Sequence, residues 1–339
     1  RFMAVVKSFG YGNDATRVSQ TLVRQGVDQL AVAYPDEAIP LRKRGMELPI
    51  LVMNAMADEA DKIVHYDLAA LVYSRHVVEA LAARAAQFDT TVDVHLNVDT
   101  GMHRVGLSPE DVLSFARWVD GLERVKLAGV VTHFAAADDP REDAFTTGQI
   151  ESFRRVLAAL EEDGIDPGIV HAANTAAAWR FPESTFGMVR VGLGLYGLAP
   201  SLEVARAAFE TRTALQFSSQ IVHLQELEAG ETIGYGRTWT APERRLIATI
   251  AAGYNDGLPR FMSNGGELLV GGQRCPIVGT VCMDVTMVDV TDMASPPAVG
   301  DEVVIFGEQE GVRLPVEELA ERGGTINYES LCNISELVR

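Results

Sequence analysis

Eight short apolar runs, each followed by a stretch of helical periodicity, fill residues 1–204 of this chain. The runs are Met3–Val6, Gln29–Tyr34, Leu48–Met53, Ala69–Tyr73, Thr91–Val98, Lys126–Thr132, Gly168–Ala172 and Met188–Val191. They are nearly continuous in apolar side chains, as strands covered on both faces of a parallel sheet must be. Asp14 stands where it caps a helix carrying Val18 and Leu22, with Gly26 as the stop. Ser108, with Asp111 three residues on, opens another helix in the manner of a capping box. Ile150, Phe153, Val156, Leu157 and Leu160 recur at helical spacing over Gln149–Glu162, and Gly164 follows. Eight such units predict an α/β fold, a (β/α)8 TIM-type barrel. An open doubly wound sheet usually has fewer strands and carries its glycine-rich turn at the first crossover. Here the densest glycine turn follows the last run.

Helical periodicity fades after residue 205. Phe217–Leu224, Leu246–Ala251, Glu267–Val270, Cys275–Val278, Thr286–Val290 and Glu302–Phe306 read as strands separated by turns such as Gly265-Gly266 and Gly271-Gly272. A C-terminal all-β domain over residues 205–339 is expected, after a barrel over 1–204. The 339 residues, 47% of them hydrophobic, suffice for two cores. A net charge of −18 argues against nucleic acid and anionic membranes as partners, while leaving small anionic ligands open. No apolar run approaches the roughly 20 residues of a membrane span, and no signal peptide is visible. Cys275, Cys282 and Cys332 form no C-x-x-C pair, which suits reduced thiols and a cytoplasmic protein, with no structural zinc expected.

Barrels of this kind hold their active sites at the C-terminal ends of the strands. Lys7 ends the first run and precedes Ser8-Phe9-Gly10-Tyr11-Gly12. An amine in that place, near a phosphate site, can hold an aldehyde cofactor as a Schiff base. Asp99, Met102, His103 and Arg104 follow the fifth run, His133 ends the sixth, and Asn174 and Thr175 follow the seventh. Arg190 lies in the eighth, with Gly192, Gly194, Tyr196 and Gly197 after it. Taken singly, each also reads as a polar residue where a buried strand meets solvent, and His171 reads as a core histidine. Residues 192–197 match G-x-G-x-x-G, but the motif ends the barrel instead of opening a βαβ unit. Glycines there suit close approach of backbone N–H groups to a phosphate.

Eight ordered segments make the chain resemble the alanine racemase family, the fold-type III pyridoxal-phosphate enzymes. They are Ala4-Val5-Val6-Lys7 with Tyr11-Gly12, residues 98–106, residues 132–135, His171-Ala172-Ala173-Asn174-Thr175-Ala176, Arg190-Val191-Gly192 with Leu195-Tyr196-Gly197, residues 252–257, residues 278–284, and Thr325-Ile326-Asn327-Tyr328-Glu329. The resemblance implies pyridoxal 5′-phosphate (PLP) on Lys7, and a racemase that supplies D-alanine for cell-wall precursors. Lys7 and Tyr254 would be the two catalytic bases, the tyrosine reaching the partner's barrel in a homodimer with shared active sites. Tyr11, Asn174, Thr175, Gly192, Leu193 and Tyr328 would bind the cofactor, mainly its phosphate. Arg190 would face the pyridine nitrogen without protonating it, and His133 would stack near the ring or hydrogen-bond in the network that tunes Tyr254 or Arg190. Arg104 would lie near the cofactor's phenolic oxygen and, with Met283, meet the substrate carboxylate, with Asp284 ordering the loop. Gly234-Tyr235-Gly236-Arg237-Thr238 is expected to border the entrance.

Two departures stand out. Many relatives carry a carbamylated lysine where this chain has Asn97, two residues before Asp99; a bound chloride near Asn97 and Arg104 is the expected replacement. The family also usually has a segment with a helix ahead of the lysine strand, absent from this sequence. Other readings are a racemase of the same fold acting on serine or on larger or basic amino acids, a decarboxylase, and a non-catalytic PLP-binding homeostasis protein. A decarboxylase wants an acid opposite the pyridine nitrogen, where Arg190 stands. The homeostasis proteins lack the β domain.

Overall fold

The computed structural model describes residues 1–201, 204 and 211–334. The chain divides into two compact units, Arg1–Glu210 and Thr211–Arg339.

In the first unit, eight parallel strands are arranged in the order β7-β6-β5-β4-β3-β2-β1-β8. They are β1 (Phe2–Val5), β2 (Gln29–Val32), β3 (Ile50–Val52), β4 (Ala69–Val72), β5 (Val92–Val98), β6 (Val125–Thr132), β7 (Ile169–His171) and β8 (Val189–Val191). β1 pairs with both β2 and β8, so the ring joins its first and last strands by a full ladder. β7 and β8 meet through a single bridge, His171 to Met188, which completes the expected barrel. Each strand sends alternate residues outward to the helices. Ala4, Leu30, Val32, Ile50, Val52, Ala70, Val72, Val94, Leu96 and Val130 belong to that outer core. The remaining register faces the interior, and it is two-sided. Met3, Val5, Ala31, Leu51 and Leu71 make an apolar wall over β1–β4, whereas His95, Asn97, His171 and Arg190 make a buried polar wall over β5, β7 and β8.

The helices include α1 (Lys7–Gly12), α2 (Ala15–Arg24), α3 (Pro35–Lys43), α4 (Ala60–His65), α5 (Arg75–Gln87), α6 (Pro109–Asp120), α7 (Asp143–Glu162) and α8 (Thr175–Arg180). Asp14 caps α2 by accepting from the N–H groups of Thr16 and Arg17. Ser108 departs from the capping-box expectation: its hydroxyl donates to the Asp111 carboxylate and makes no side-chain cap. The helix α7 starts six residues before the apolar periodicity does, with Asp143 bonded to Arg180 at its first turn. Instead of a glycine loop, α1 is a left-handed turn in which Ser8, Phe9, Gly10 and Tyr11 all have φ between 52° and 67°.

In the second unit an antiparallel sheet has the order β14-β13-β16-β9-β12-β15, with β17 beside β16. Its members are β9 (Phe217–Leu227), β12 (Arg245–Ile250), β13 (Glu267–Val270), β14 (Gln273–Pro276), β15 (Thr286–Asp289), β16 (Glu302–Gln309) and β17 (Val312–Leu314). A separate hairpin joins β10 (Thr232–Ile233) to β11 (Trp239–Thr240). Two short helices, α9 (Val316–Arg322) and α10 (Asn327–Cys332), end this otherwise strand-built unit. Among the described residues, no helix is long and apolar enough to cross a membrane.

One close approach shapes the barrel interior. A Cβ on Gly129 of β6 would lie 2.3 Å from Nδ1 of His95. The β5–β6 register shifts beside His95, leaving Ala128 as the extra residue. Gly129→Ala is expected to cost about 1–3 kcal/mol of stability through overpacking. Gly148→Ala, where a Cβ on α7 meets nothing within 4 Å, is expected to gain about 0.5–1 kcal/mol. Urea midpoints of the two variants check the pair.

Candidate active site

Lys7 opens α1 two residues past the C-terminal end of β1, where its charge reaches His133. The left-handed turn then brings Tyr11 back into the interior, where it is buried. Three of the four turn residues have side chains, and each costs roughly 1–2 kcal/mol in this conformation. Compensation is visible. Gly10 N–H donates to Val6 O at 3.0 Å, and Ser8 N–H donates to the Glu37 carboxylate at 2.7 Å. From beyond β8, the Tyr196 hydroxyl donates to Gly10 O, and the Tyr196 ring meets Tyr11 edge-on at 6.1 Å.

The Tyr11 hydroxyl ends against Gly192, just after β8. A Cβ at Gly192 would lie 2.1 Å from it, so only glycine leaves the hydroxyl room. Gly192 N–H donates to Thr175 Oγ1 at 3.2 Å, and Leu193 follows, buried. Asn174 accepts from Ala177 N–H at 3.0 Å and so fixes the start of α8. Tyr11, Thr175 and Gly192 thus bring neutral hydrogen-bonding groups to one point. That donor set fits a phosphate.

Arg190 organises the polar wall. One terminal nitrogen lies 2.9 Å from Thr132 O, 2.9 Å from Ala172 O and 3.0 Å from His133 Nδ1. The other lies 3.1 Å from His171 Nδ1, and His171 Nε2 is 2.8 Å from His95 Nδ1. A guanidinium only donates. His133 and His171 must therefore accept at Nδ1 and carry their protons on Nε2, and His171 in turn donates to His95. Burial, and next the Arg190 charge, lower His95 to about 4. Burial, then Arg190, Arg104 and Lys7, lower His133 to about 3. His171 is held well below its ordinary value by burial and Arg190. Burial and then Arg104 lower Arg190 to about 10, which leaves it charged at neutral pH. His133 and His171 are neutral acceptors for one buried cation, and His95 is the neutral acceptor behind His171.

Arg104 is exposed on the loop after β5. Asp99 shapes that loop by accepting from the Gly101 and His103 N–H groups, each at 3.0 Å. Burial pushes the Asp99 carboxyl up, but its backbone donors outweigh this and hold it below the usual value. Asn97, buried on β5, donates from Nδ2 to Val105 O at 2.9 Å, leaving its second amide hydrogen for another acceptor.

Lys7, Tyr11, Arg104, His133, Asn174, Thr175, Arg190, Gly192 and Leu193 thus lie in β8 or the segments that leave the C-terminal ends of the strands. Tyr254, Met283 and Tyr328 lie in the second unit. There Tyr254 N–H donates to Cys282 O, and Asn255 N–H donates to Met283 O, both at 3.0 Å. A Cβ on Gly253 would strike those same two carbonyls. Thr280, in the same strand-connecting segment, donates its hydroxyl to Tyr235 O at 2.9 Å. Tyr235, Tyr254 and Met283 therefore sit on turns fastened to residues 280–283, with exposures of 75%, 43% and 52%. Tyr328 is half-buried on α10. Sequence reasoning passes over His95 and reads His171 as mere core. The signal available is a polar side chain in each inward register of a buried strand, next to Gly129. Among the described residues, no group of three or more His, Cys, Asp or Glu could hold a metal ion.

Comparison with known proteins bears on this geometry. Residues 1–200 match the family model for the alanine racemase N-terminal domain, and residues 214–339 match that for the C-terminal domain. The alanine racemase of Halothermothrix orenii is 39% identical over 339 residues, covering 100% of this chain and 89% of the relative. The solved alanine racemase of Clostridium difficile 630 is 35% identical with a TM-score of 0.92, covering 100% of this chain and 87% of that one. The alanine racemase of Bartonella henselae, solved with covalently bound pyridoxal phosphate, is 26% identical with a TM-score of 0.88, covering 99% and 90%.

The histidine chain has a consequence for pH. Unfolded histidines titrate near 6.5. The folded values of His95 and His171 lie lower, so the unfolded state binds more protons below that pH. The stability contributed by neutral burial is complete above about pH 6.5 and is lost as pH falls toward about 4. Urea unfolding midpoints are expected to drop between pH 7 and pH 4, and less steeply in His95→Gln. Equal slopes in both proteins would contradict the assignment.

Proposed function

This chain belongs to the alanine racemase family, whose members carry PLP, and from that premise we propose that it interconverts L- and D-alanine by a two-base mechanism with Lys7 as one base. The observation that carries the reading is the convergence of a strand-end lysine, a phosphate cradle and a buried arginine at one end of the barrel.

Lys7 would hold PLP, with Tyr11, Thr175, Gly192 and Leu193 on its phosphate, Asn174 setting the turn behind them, and Tyr328 completing the set. PLP supplies an electron sink that acidifies the α-carbon of a bound amino acid. Arg190 would meet the pyridine nitrogen as a fixed donor that keeps its own proton, which moderates the sink. His133, neutral and donating from Nε2, would add a hydrogen bond beside the ring without adding charge. Arg104 and the Met283 N–H would orient the substrate carboxylate. Asn97 and Arg104 would share a chloride in the place of a carbamylated lysine.

Inverting a stereocentre requires a proton taken from one face and another delivered to the opposite face. Lys7 serves one face. A tyrosine lent by the second unit of a partner copy serves the other. Phe9, Tyr34, Met56 and Phe145 stand half-exposed on segments at the C-terminal ends of the barrel strands, and Tyr235, Tyr254, Met283 and Ile326 are exposed on the second unit. Large apolar groups left exposed in this way suit a shared interface. The family resemblance assigns the phenol to Tyr254, but exposure favours Tyr235. A base that enters a neighbour's pocket must project from its own unit, and Tyr235 is 75% exposed against 43% for Tyr254. Its turn also holds a non-glycine residue, Arg237, at φ 51°. Backbone conformations of this kind persist where function requires them. Tyr254 would then line the entrance beside Met283.

Lys7→Ala is expected to abolish racemisation of both enantiomers and the visible absorbance of bound PLP. Tyr235→Phe should slow exchange of the α-proton with solvent deuterium by at least about a hundredfold in one enantiomer and less in the other, as loss of a one-sided general base does. Tyr254→Phe should change the two directions alike. The reverse pattern would return the base to Tyr254. Crystals grown in bromide should show anomalous scattering between Asn97 and Arg104; its absence removes the halide.

A further inference from the structure

Gln149 lies in the second turn of α7, outside every segment that carries the family resemblance, and is only 1% exposed. Its side chain is satisfied at both ends. Oε1 accepts from Ala135 N–H at 3.0 Å, while Nε2 donates to Thr100 Oγ1 and to His133 O, each at 3.2 Å. Ala135 N–H can only donate and His133 O can only accept, so the amide has one possible orientation. Thr100 in turn shares a hydrogen bond with Thr132 Oγ1 at 2.7 Å, and Thr132 Oγ1 lies 2.8 Å from Val98 O. A Cβ on Gly101 would lie 3.0 Å from the Phe145 ring and 3.7 Å from Gln149. The first two turns of α7 therefore press directly on the loop after β5.

One amide thus fastens two strand-end segments. On the β5 side it holds Thr100, in the loop whose continuation through Asp99, Gly101 and His103 carries Arg104. On the β6 side it holds the backbone of His133, whose ring Arg190 holds from the other direction. We propose that Gln149 is a positioning residue that sets Arg104 against His133 and so shapes the place where the substrate carboxylate binds. The proposal rests on the racemase reading for what that place binds. The chemistry points to substrate affinity more than to proton transfer, because neither Lys7 nor a tyrosine base is among the partners of Gln149.

Two variants separate the parts. Gln149→Glu keeps the acceptor for Ala135 and loses both donors; Gln149→Leu loses all three bonds at similar volume. The PLP-loaded parent and variants are compared for KM and kcat in both directions. Affinity for propionate, which has alanine's carboxylate but no amine, is measured by calorimetry. Buried hydrogen bonds of this kind, when broken, change affinity by about tenfold. KM and the propionate dissociation constant are therefore expected to rise about tenfold in both variants, with kcat within threefold of the parent. Thr100→Val should reproduce part of the effect and add little to Gln149→Leu, because the two act through one bond. If KM and propionate affinity stay within twofold of the parent in folded variants, the proposal is overturned. Should both Gln149 variants fail to fold, Thr100→Val alone decides by the same measure. A parent that binds propionate but racemises no alanine overturns the racemase reading and leaves Gln149 to the binding data. A parent that does neither overturns both.

Discussion

Burying an arginine without a carboxylate is the constraint from which the rest of the barrel follows. Removing a charge from water costs several kcal/mol unless its donors are met. Arg190 is 6% exposed, and its hydrogen-bond acceptors are two carbonyls and two imidazoles, all neutral. The imidazoles must stay unprotonated at Nδ1, and burial lowers their pKa values and so helps to hold them neutral. His171 passes its own proton to His95, and the His95 ring occupies the volume that a side chain on Gly129 would need. A glycine, a strand bulge and three tautomers all trace to one guanidinium. Its charge remains uncancelled, with Lys7 and Arg104 near enough to lower His133 further. A chain of net charge −18 thus carries a local cationic pocket, and the local field, not the total, selects an anionic ligand.

The loops around that pocket are held by side chains with no chemistry of their own. Tyr196 secures Gly10, Gln149 secures Thr100 and His133, Asp99 closes the turn that leads to Arg104, and Asn174 accepts from Ala177 to fix the start of α8. Each bond ties one strand-end segment to another or to itself. A site divided among separate crossovers needs such ties, because no single element presents more than a few of its groups. The strained turn after Lys7 illustrates the balance: three non-glycine residues are held left-handed by bonds to β1, α3 and the segment beyond β8.

The ring of strands was legible because buried parallel strands leave runs rich in apolar residues, and each run contains its strand to within a residue or two. Helix starts were less so. The first turn of α7 holds Asp143 through Arg180, a contact no local pattern announces. Ser108 and Asp111 have the spacing of a capping box, but spacing does not say which oxygen donates. Of the site, residues at strand ends could be found because topology alone sends them to one rim. The handedness after Lys7 could not, since Ser8, Phe9 and Tyr11 show no preference for positive φ. His95 and Gln149 were hidden for another reason: their roles exist only in partners from distant segments. The choice between Tyr235 and Tyr254 turns on how far each phenol projects, which motif matching does not measure.

β1 pairs with β8, and Tyr196 reaches Gly10 across 186 residues of chain. The lysine strand is among the last to find its neighbour on that side, because contacts of such long separation repay their closure entropy late. Until that seam closes, Lys7, Tyr11 and Gly192 have no common address. A molecule that binds all three recognises the completed ring and nothing earlier on the folding route, so its affinity adds wholly to the native state. The cofactor pocket is in this sense the molecule's own inspection point for a finished barrel.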